Sequence, residues 1–198
     1  MIIIGLTGQT GSGKSLAADV LSEYGAYIID ADKIAHGALL PGGGAYEDVV
    51  CNLGESILDE NGYIDRKKVS AIVFNDREKL RIHTETTHKH ILKKIYDEIA
   101  YAKKNNYPIV CIDAPLLTES GLHNACDYTW AVYADEPARL KRIMKRDNLT
   151  ESEAINRMKS QTHFSDIARY ADVILDNNGS PEEFIISVRQ RISACINL

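Results

Sequence analysis

Eight residues near the start of the chain, Gly8-Gln9-Thr10-Gly11-Ser12-Gly13-Lys14-Ser15, fit the phosphate-loop pattern G-x-x-x-x-G-K-[ST] at every fixed position. Glycine at 8, 11 and 13 lets the backbone turn its N–H groups inward around a polyphosphate, and the helix that follows adds its positive N-terminal end. Lys14 is expected to reach the β- and γ-phosphates, and the Ser15 hydroxyl to ligate Mg²⁺. The expected nucleoside-triphosphate contacts are therefore Gly8, Gly11, Ser12, Gly13, Lys14, Ser15 and the adjoining Leu16.

Three further groups have the types that phosphoryl transfer needs. Asp30-Ala31-Asp32 follows an apolar run, so one carboxylate is placed to take the proton of an acceptor hydroxyl. Aspartate is also a favoured helix cap, and both roles can be filled if one residue caps while the other meets substrate. Asp113 ends a strongly hydrophobic stretch, the usual form of a carboxylate that helps hold Mg²⁺ or its waters. Asp30 and Asp113 both stand as candidates for that metal shell. Beyond Asp113, the stretch Ala114-Pro115-Leu116-Leu117-Thr118-Glu119 continues into the cleft end of the sheet. Arg139, Arg142 and Arg146 recur at i, i+3 and i+7, sharing a helical face suited to a transferring phosphoryl group. No histidine has metal-ligand spacing, and H-E-x-x-H is absent.

These residues sit on a recognisable frame. Ile2-Ile3-Ile4-Gly5-Leu6 reads as a buried strand, and residues 15–24 have helical spacing, the strand–loop–helix setting the motif requires. Further strands are expected at 26–29, 108–113, 128–134 and 172–175. Five strands alternating with helices predict a doubly wound α/β fold around a parallel sheet. Thr150 with Glu153 forms a capping-box pattern, and Ser180-Pro181-Glu182-Glu183 opens another helix. Residues 76–105 alone suit one long helix. The expected layout is one domain: a core of 1–35, 107–135 and 162–198, an acceptor-binding helical insertion at about 36–106, and a helical lid at about 136–161.

At 198 residues the chain suits one packed domain, and its net charge of −5 argues against a general nucleic-acid partner. Four widely spaced cysteines read as free thiols. Neither a signal peptide nor a membrane span is expected, so a cytoplasmic enzyme is the default, with a monomer as the starting assumption.

Taken together the motifs resemble the dephospho-coenzyme A kinase family of P-loop kinases. The resemblance runs from the phosphate loop through Ile29-Asp30-Ala31-Asp32, Gly62-Tyr63-Ile64-Asp65-Arg66, His88, Pro115-Leu116-Leu117 with Glu119, and the arginine lid ending at Gln161. It closes on Ala171-Asp172-Val173-Ile174 with Asp176-Asn177. It implies ATP-dependent phosphorylation of the ribose 3′-hydroxyl of dephospho-coenzyme A, with Mg²⁺ and these two small molecules as the partners. By the same resemblance Asp32 is the acceptor-side base, Arg142 stabilises the transferring phosphate, and Asn177 lies near the adenine. Arg66 and His88 then belong to the coenzyme A subdomain, and Pro115, Leu116, Leu117 and Glu119 join them in binding the acceptor. The chain departs from the family pattern at Leu16, Asn61, Lys89 and Ile167, none of them at Lys14, Ser15 or Asp32. A nucleoside or nucleoside-monophosphate kinase of the same architecture is the alternative. A GTPase-type switch is disfavoured because the chain lacks the N-K-x-D guanine-reading motif.

Overall fold

In the computed structural model, which describes residues 1–196, the chain begins β1 (Ile2–Gly8), α1 (Lys14–Glu23), β2 (Ala26–Asp30), α2 (Ala31–Ala38), α3 (Tyr46–Leu53), α4 (Arg66–Val73) and α5 (Arg77–Lys104). It continues β3 (Ile109–Asp113), β4 (Tyr128–Tyr133), α6 (Glu136–Asp147), α7 (Glu151–Lys159), α8 (Phe164–Ala168), β5 (Val173–Asp176) and α9 (Pro181–Ile196). The strands form one parallel sheet in the order β2-β3-β1-β4-β5, the doubly wound arrangement expected from the alternating pattern.

β1 is central, with Ile4 opposite Cys111 of β3 and Tyr128 of β4. Strands covered on both faces must be apolar throughout, and Ile4, Leu6, Ile109, Cys111, Ile112, Trp130 and Val132 are all buried. α1 and α9 pack over one face, joining Ala17, Val20 and Leu21 to Phe184, Val188 and Ile192 in a single core with Trp130. On the other face Gly5 has no side chain because Leu117 and Cys126 fill that space, and α8 lies against β1 and β4. β1 runs two residues past the expected Leu6, since Thr7 and Gly8 stay paired with Ala131 and Val132. The phosphate loop is therefore anchored to the sheet up to its first glycine.

The chain divides into two compact units. One comprises Met1–Ile29 and the stretch from Ala102 onward, and the other is Asp30–Tyr101. The second unit has its own apolar core of Ala45, Val49, Leu53, Ile57, Val69 and Val73, drawn from α3, α4 and the turn between them. Asn61-Gly62 makes that turn: the Asp59 carboxylate accepts from the N–H groups of Asn61 and Tyr63, each at 2.9 Å. α5 extends for 28 residues, close to the expected span.

In the first unit, the expected capping box at Thr150 is present in both directions. The Glu153 N–H donates to the Thr150 hydroxyl at 3.4 Å, and the Thr150 N–H donates to the Glu153 carboxylate at 2.8 Å. α9 opens on Ser180 in the same way. Among the described residues no helix is long and apolar enough to cross a membrane.

Candidate active site

Residues 8–15 connect β1 to α1, and two of the loop's glycines sit in left-handed backbone that side chains resist. Gly11 has φ +78° with the Arg139 backbone against it, and Gly13 has φ +104° facing the side-chain amide of Asn177. That amide donates to the Ser12 carbonyl at 2.7 Å, and Asn177 is only 4% exposed. Gly13→Ala is expected to push Asn177 off the loop. Roughly 1–3 kcal/mol of stability should go with it, the usual cost of a strained backbone position. Denaturant unfolding measures it; an unchanged midpoint would show that the loop tolerates a side chain there.

Arg139, Arg142 and Arg146 share one face of α6, as their spacing requires, and that face meets the loop. The Arg139 Nε donates to the Thr10 carbonyl at 2.9 Å. Arg142 Nη1 reaches the carbonyls of Gly11 at 3.2 Å and Ser12 at 3.3 Å, while its Nη2 takes the Asn177 carbonyl at 2.8 Å. The Arg146 Nη2 donates to the Thr10 hydroxyl at 3.3 Å. Arg146 and Arg157 converge on Asp147, whose carboxyl is held below the usual carboxylate range by the Arg146 hydrogen bonds first.

Lys14, first residue of α1, directs its ammonium to the Asp113 carboxylate at the end of β3, both side chains largely buried. Ser15 is exposed in the first turn of α1, while Leu16 is half-buried against the core. After β3, the Pro115 carbonyl accepts from the Thr7 hydroxyl at 3.2 Å, Leu116 is exposed and Leu117 is fully buried. Glu119 accepts from the hydroxyls of Thr162 at 2.6 Å and Thr118 at 2.8 Å. Burial pushes its carboxyl up, but hydrogen bonds from Thr162, its own backbone and Thr118 outweigh that and leave it below the ordinary range.

The second unit holds the other expected residues. Asp30 caps α2, accepting from the Lys33 N–H at 2.9 Å, so capping falls to Asp30. Asp32 lies in the first turn of the same helix, exposed, and no hydrogen bond or ion pair engages its carboxylate among the described residues. Arg66 opens α4 and its guanidinium meets the His36 ring nitrogen at 2.7 Å. His88 is half-buried on α5, with its Nε2 buried and without a hydrogen-bond partner among the described residues. A cavity of about 690 Å³ in this unit is lined by α2, the glycine turn at 43–44 and α5, with Lys33, Lys93 and Lys94 on its walls.

Gln9, Thr10 and Gln161 do not figure among the residues expected from the motif. Gln161 Oε1 accepts from the Thr10 N–H at 3.0 Å and from Arg139 at 3.3 Å, and Gln9 Nε2 donates to the Thr162 carbonyl at 2.8 Å. Only the arginine spacing hinted at this network, because amide side chains carry no periodic signal.

The profile of the family described as Dephospho-CoA kinase matches residues 2–183, a span holding every candidate residue above. The chain belongs to the dephospho-CoA kinase family. A Dephospho-CoA kinase from Carboxydothermus hydrogenoformans is 41% identical over 192 residues, covering 96% of this chain and 93% of that one. Among solved structures, the dephospho-CoA kinase from Campylobacter jejuni superposes with a TM-score of 0.72 at 29% identity, over 98% of this chain and 97% of its own. TT1252 from Thermus thermophilus gives a TM-score of 0.82 at 28% identity, over 98% and 96%. Membership in the dephospho-CoA kinase family agrees with the resemblance carried by the motifs, from the phosphate loop to Asp176-Asn177.

Proposed function

We propose that this member of the dephospho-CoA kinase family is a phosphotransferase that moves the γ-phosphoryl of ATP to the ribose 3′-hydroxyl of dephospho-coenzyme A. The products are coenzyme A and ADP, the last step of coenzyme A synthesis. The family match across residues 2–183 carries this reading.

On the donor side, the backbone of Gly8, Gly11, Ser12 and Gly13 and the start of α1 receive the phosphates. Lys14 exchanges Asp113 for β- and γ-phosphate oxygens, a swap supported by their direct ion pair. Arg142 and Asn177 hold the loop through its carbonyls, and Arg142 also serves the transferring group. The loop's negative partner is then a triphosphate held mainly by dipoles and fixed cations, which stabilise charge without reorganising.

Mg²⁺ fits the donor set. No group of three or more His, Cys, Asp or Glu gathers as a metal cage among the described residues. Mg²⁺ accepts that situation, since it keeps waters and takes one or two protein ligands plus substrate phosphates. The exposed Ser15 hydroxyl would be the ligand, with Asp113 or Asp30 acting through water. When bound, the ion would supply positive charge against the charge that develops on the transferring phosphoryl group.

On the acceptor side, Asp32 takes the proton of the attacking hydroxyl, a role supported by its free, exposed carboxylate in the first turn of α2. The insertion at 36–106, with Arg66 and His88, holds the rest of the acceptor, joined by Pro115, Leu116 and Glu119 from the core. Leu117, buried, contributes by fixing that segment's backbone. The lid at 136–161 closes over the nucleotide and keeps water from the γ-phosphoryl. The same reading places the enzyme in the cytoplasm as a monomer, with ATP and dephospho-coenzyme A as its small-molecule partners.

Mass spectrometry of the products formed from ATP, Mg²⁺ and dephospho-coenzyme A tests the proposal. A single added phosphoryl on the acceptor is expected. Phosphorylation of nucleosides or nucleoside monophosphates, with dephospho-coenzyme A left untouched, would move the chain to that other kinase class.

A further inference from the structure

We propose that Arg139 is an electrostatic positioning residue for the triphosphate, a buried cation without a counter-ion whose charge is delivered to the phosphate loop through the Thr10 carbonyl. This rests on the reading that a nucleoside triphosphate occupies that loop.

Arg139 is 4% exposed. Its guanidinium binds three neutral oxygens: Thr10 O at 2.9 Å, Gln9 Oε1 at 2.5 Å and Gln161 Oε1 at 3.3 Å. No carboxylate pairs with it among the described residues. The ionisable neighbours are Glu136, one turn earlier on α6 and exposed to solvent, and Tyr133; neither bonds to it. Burial accordingly pulls its pKa below the usual arginine range.

A buried charge is ordinarily paired, because leaving it unpaired is costly. The neutral partners here are themselves held. Gln161 Oε1 also accepts from the Thr10 N–H at 3.0 Å, and the Gln9 amide donates to the Thr162 carbonyl at 2.8 Å. A glutamate at 161 offers the same acceptor geometry and would cancel the charge. The chain has an amide there instead, and the charge stays uncancelled beside the loop.

The contacts also give the charge a direction. A cation on a peptide carbonyl polarises that peptide, strengthening the N–H at its other end. Thr10 O shares its peptide with the Gly11 N–H. Arg142 does the same at Gly11 O and Ser12 O, whose peptides end in the N–H groups of Ser12 and Gly13. Ser12 N–H closes the loop onto the Gln9 carbonyl at 3.0 Å. Three successive carbonyls thus meet guanidinium groups, biasing the loop toward an anion at the N–H ends of the same peptides.

Gln161→Glu is the test, because it keeps both acceptor contacts and adds a negative charge beside Arg139. Calorimetry with ATP, ADP and adenosine is compared with the unsubstituted protein, alongside the thermal midpoint. We expect ATP affinity to fall roughly 10-fold or more, ADP to fall less and adenosine to hold, with the midpoint equal or higher. ATP affinity within twofold of the unsubstituted protein, with the midpoint held or raised, overturns the proposal. If Gln161→Glu does not fold, Arg139→Lys and Arg139→Gln decide the question. Lysine keeps the charge and loses the fork, so it should bind ATP several-fold tighter than glutamine; equal affinities overturn the proposal. A failure of the nucleotide reading looks different, since the unsubstituted protein itself would then bind no ATP, and both ideas would fall.

Discussion

Asp32→Asn is expected to lower turnover of dephospho-coenzyme A roughly 10²–10⁴-fold, the range for loss of a positioned general base. The substitution is nearly isosteric and should not disturb α2, because Asp30 and not Asp32 caps that helix. No hydrogen bond or ion pair engages the Asp32 carboxylate among the described residues, so neutralising it breaks no internal contact. ATP affinity, measured separately by calorimetry, should stay within a few-fold of the unsubstituted protein. The measurement that matters is single-turnover phosphorylation at saturating substrates. Near-native rates there would remove Asp32 from the chemistry and return the question to Asp30 or Asp113.

Lys14→Met should cost roughly 10²–10³ in turnover, comparable to deleting one preorganised group that stabilises transition-state charge. Methionine keeps much of the stem and loses the ammonium. The substitution also removes the ion pair to Asp113, whose side chain is 14% exposed. Stability is therefore expected to fall as well, through loss of a largely buried ion pair. A double variant, Lys14→Met with Asp113→Asn, separates the two effects. Neutralising Asp113 should recover part of the lost stability and none of the lost turnover. If the double variant regained near-native turnover, the lysine's part would be structural, in holding Asp113, and not catalytic.

Much of the frame was legible because its signals are local. A run such as Ile2-Ile3-Ile4 can only be a strand buried on both faces or a core helix, and the phosphate-loop pattern immediately after it selects the strand. The capping box at Thr150 and the cap, proline and acidic turn at Ser180 each lie within four consecutive residues, so each is complete in the text of the chain and present as read. The α5 span was equally plain. Strand ends were less so: β1 continues through Thr7 and Gly8 because β4 is there to pair with them, a fact about a neighbour more than 120 residues away.

The residue types at the phosphate loop and the alternation of strands and helices were enough to assign a P-loop kinase fold and, with the spaced motifs, the family. What the tertiary structure decided is the allocation of polar side chains. It turned Asp30 into a cap, set Lys14 against Asp113, and buried Asn177 under the loop. It also drew Arg139 out of an ordinary basic stretch and sealed it among amides from Gln9 and Gln161. The reason is physical. Apolar burial is non-directional and leaves a periodic trace along the chain, whereas a hydrogen bond needs particular atoms within about 3 Å. Contacts such as those of Arg139 with Gln9 and Gln161, or of Asn177 with Ser12, exist only once the sheet has brought those segments together.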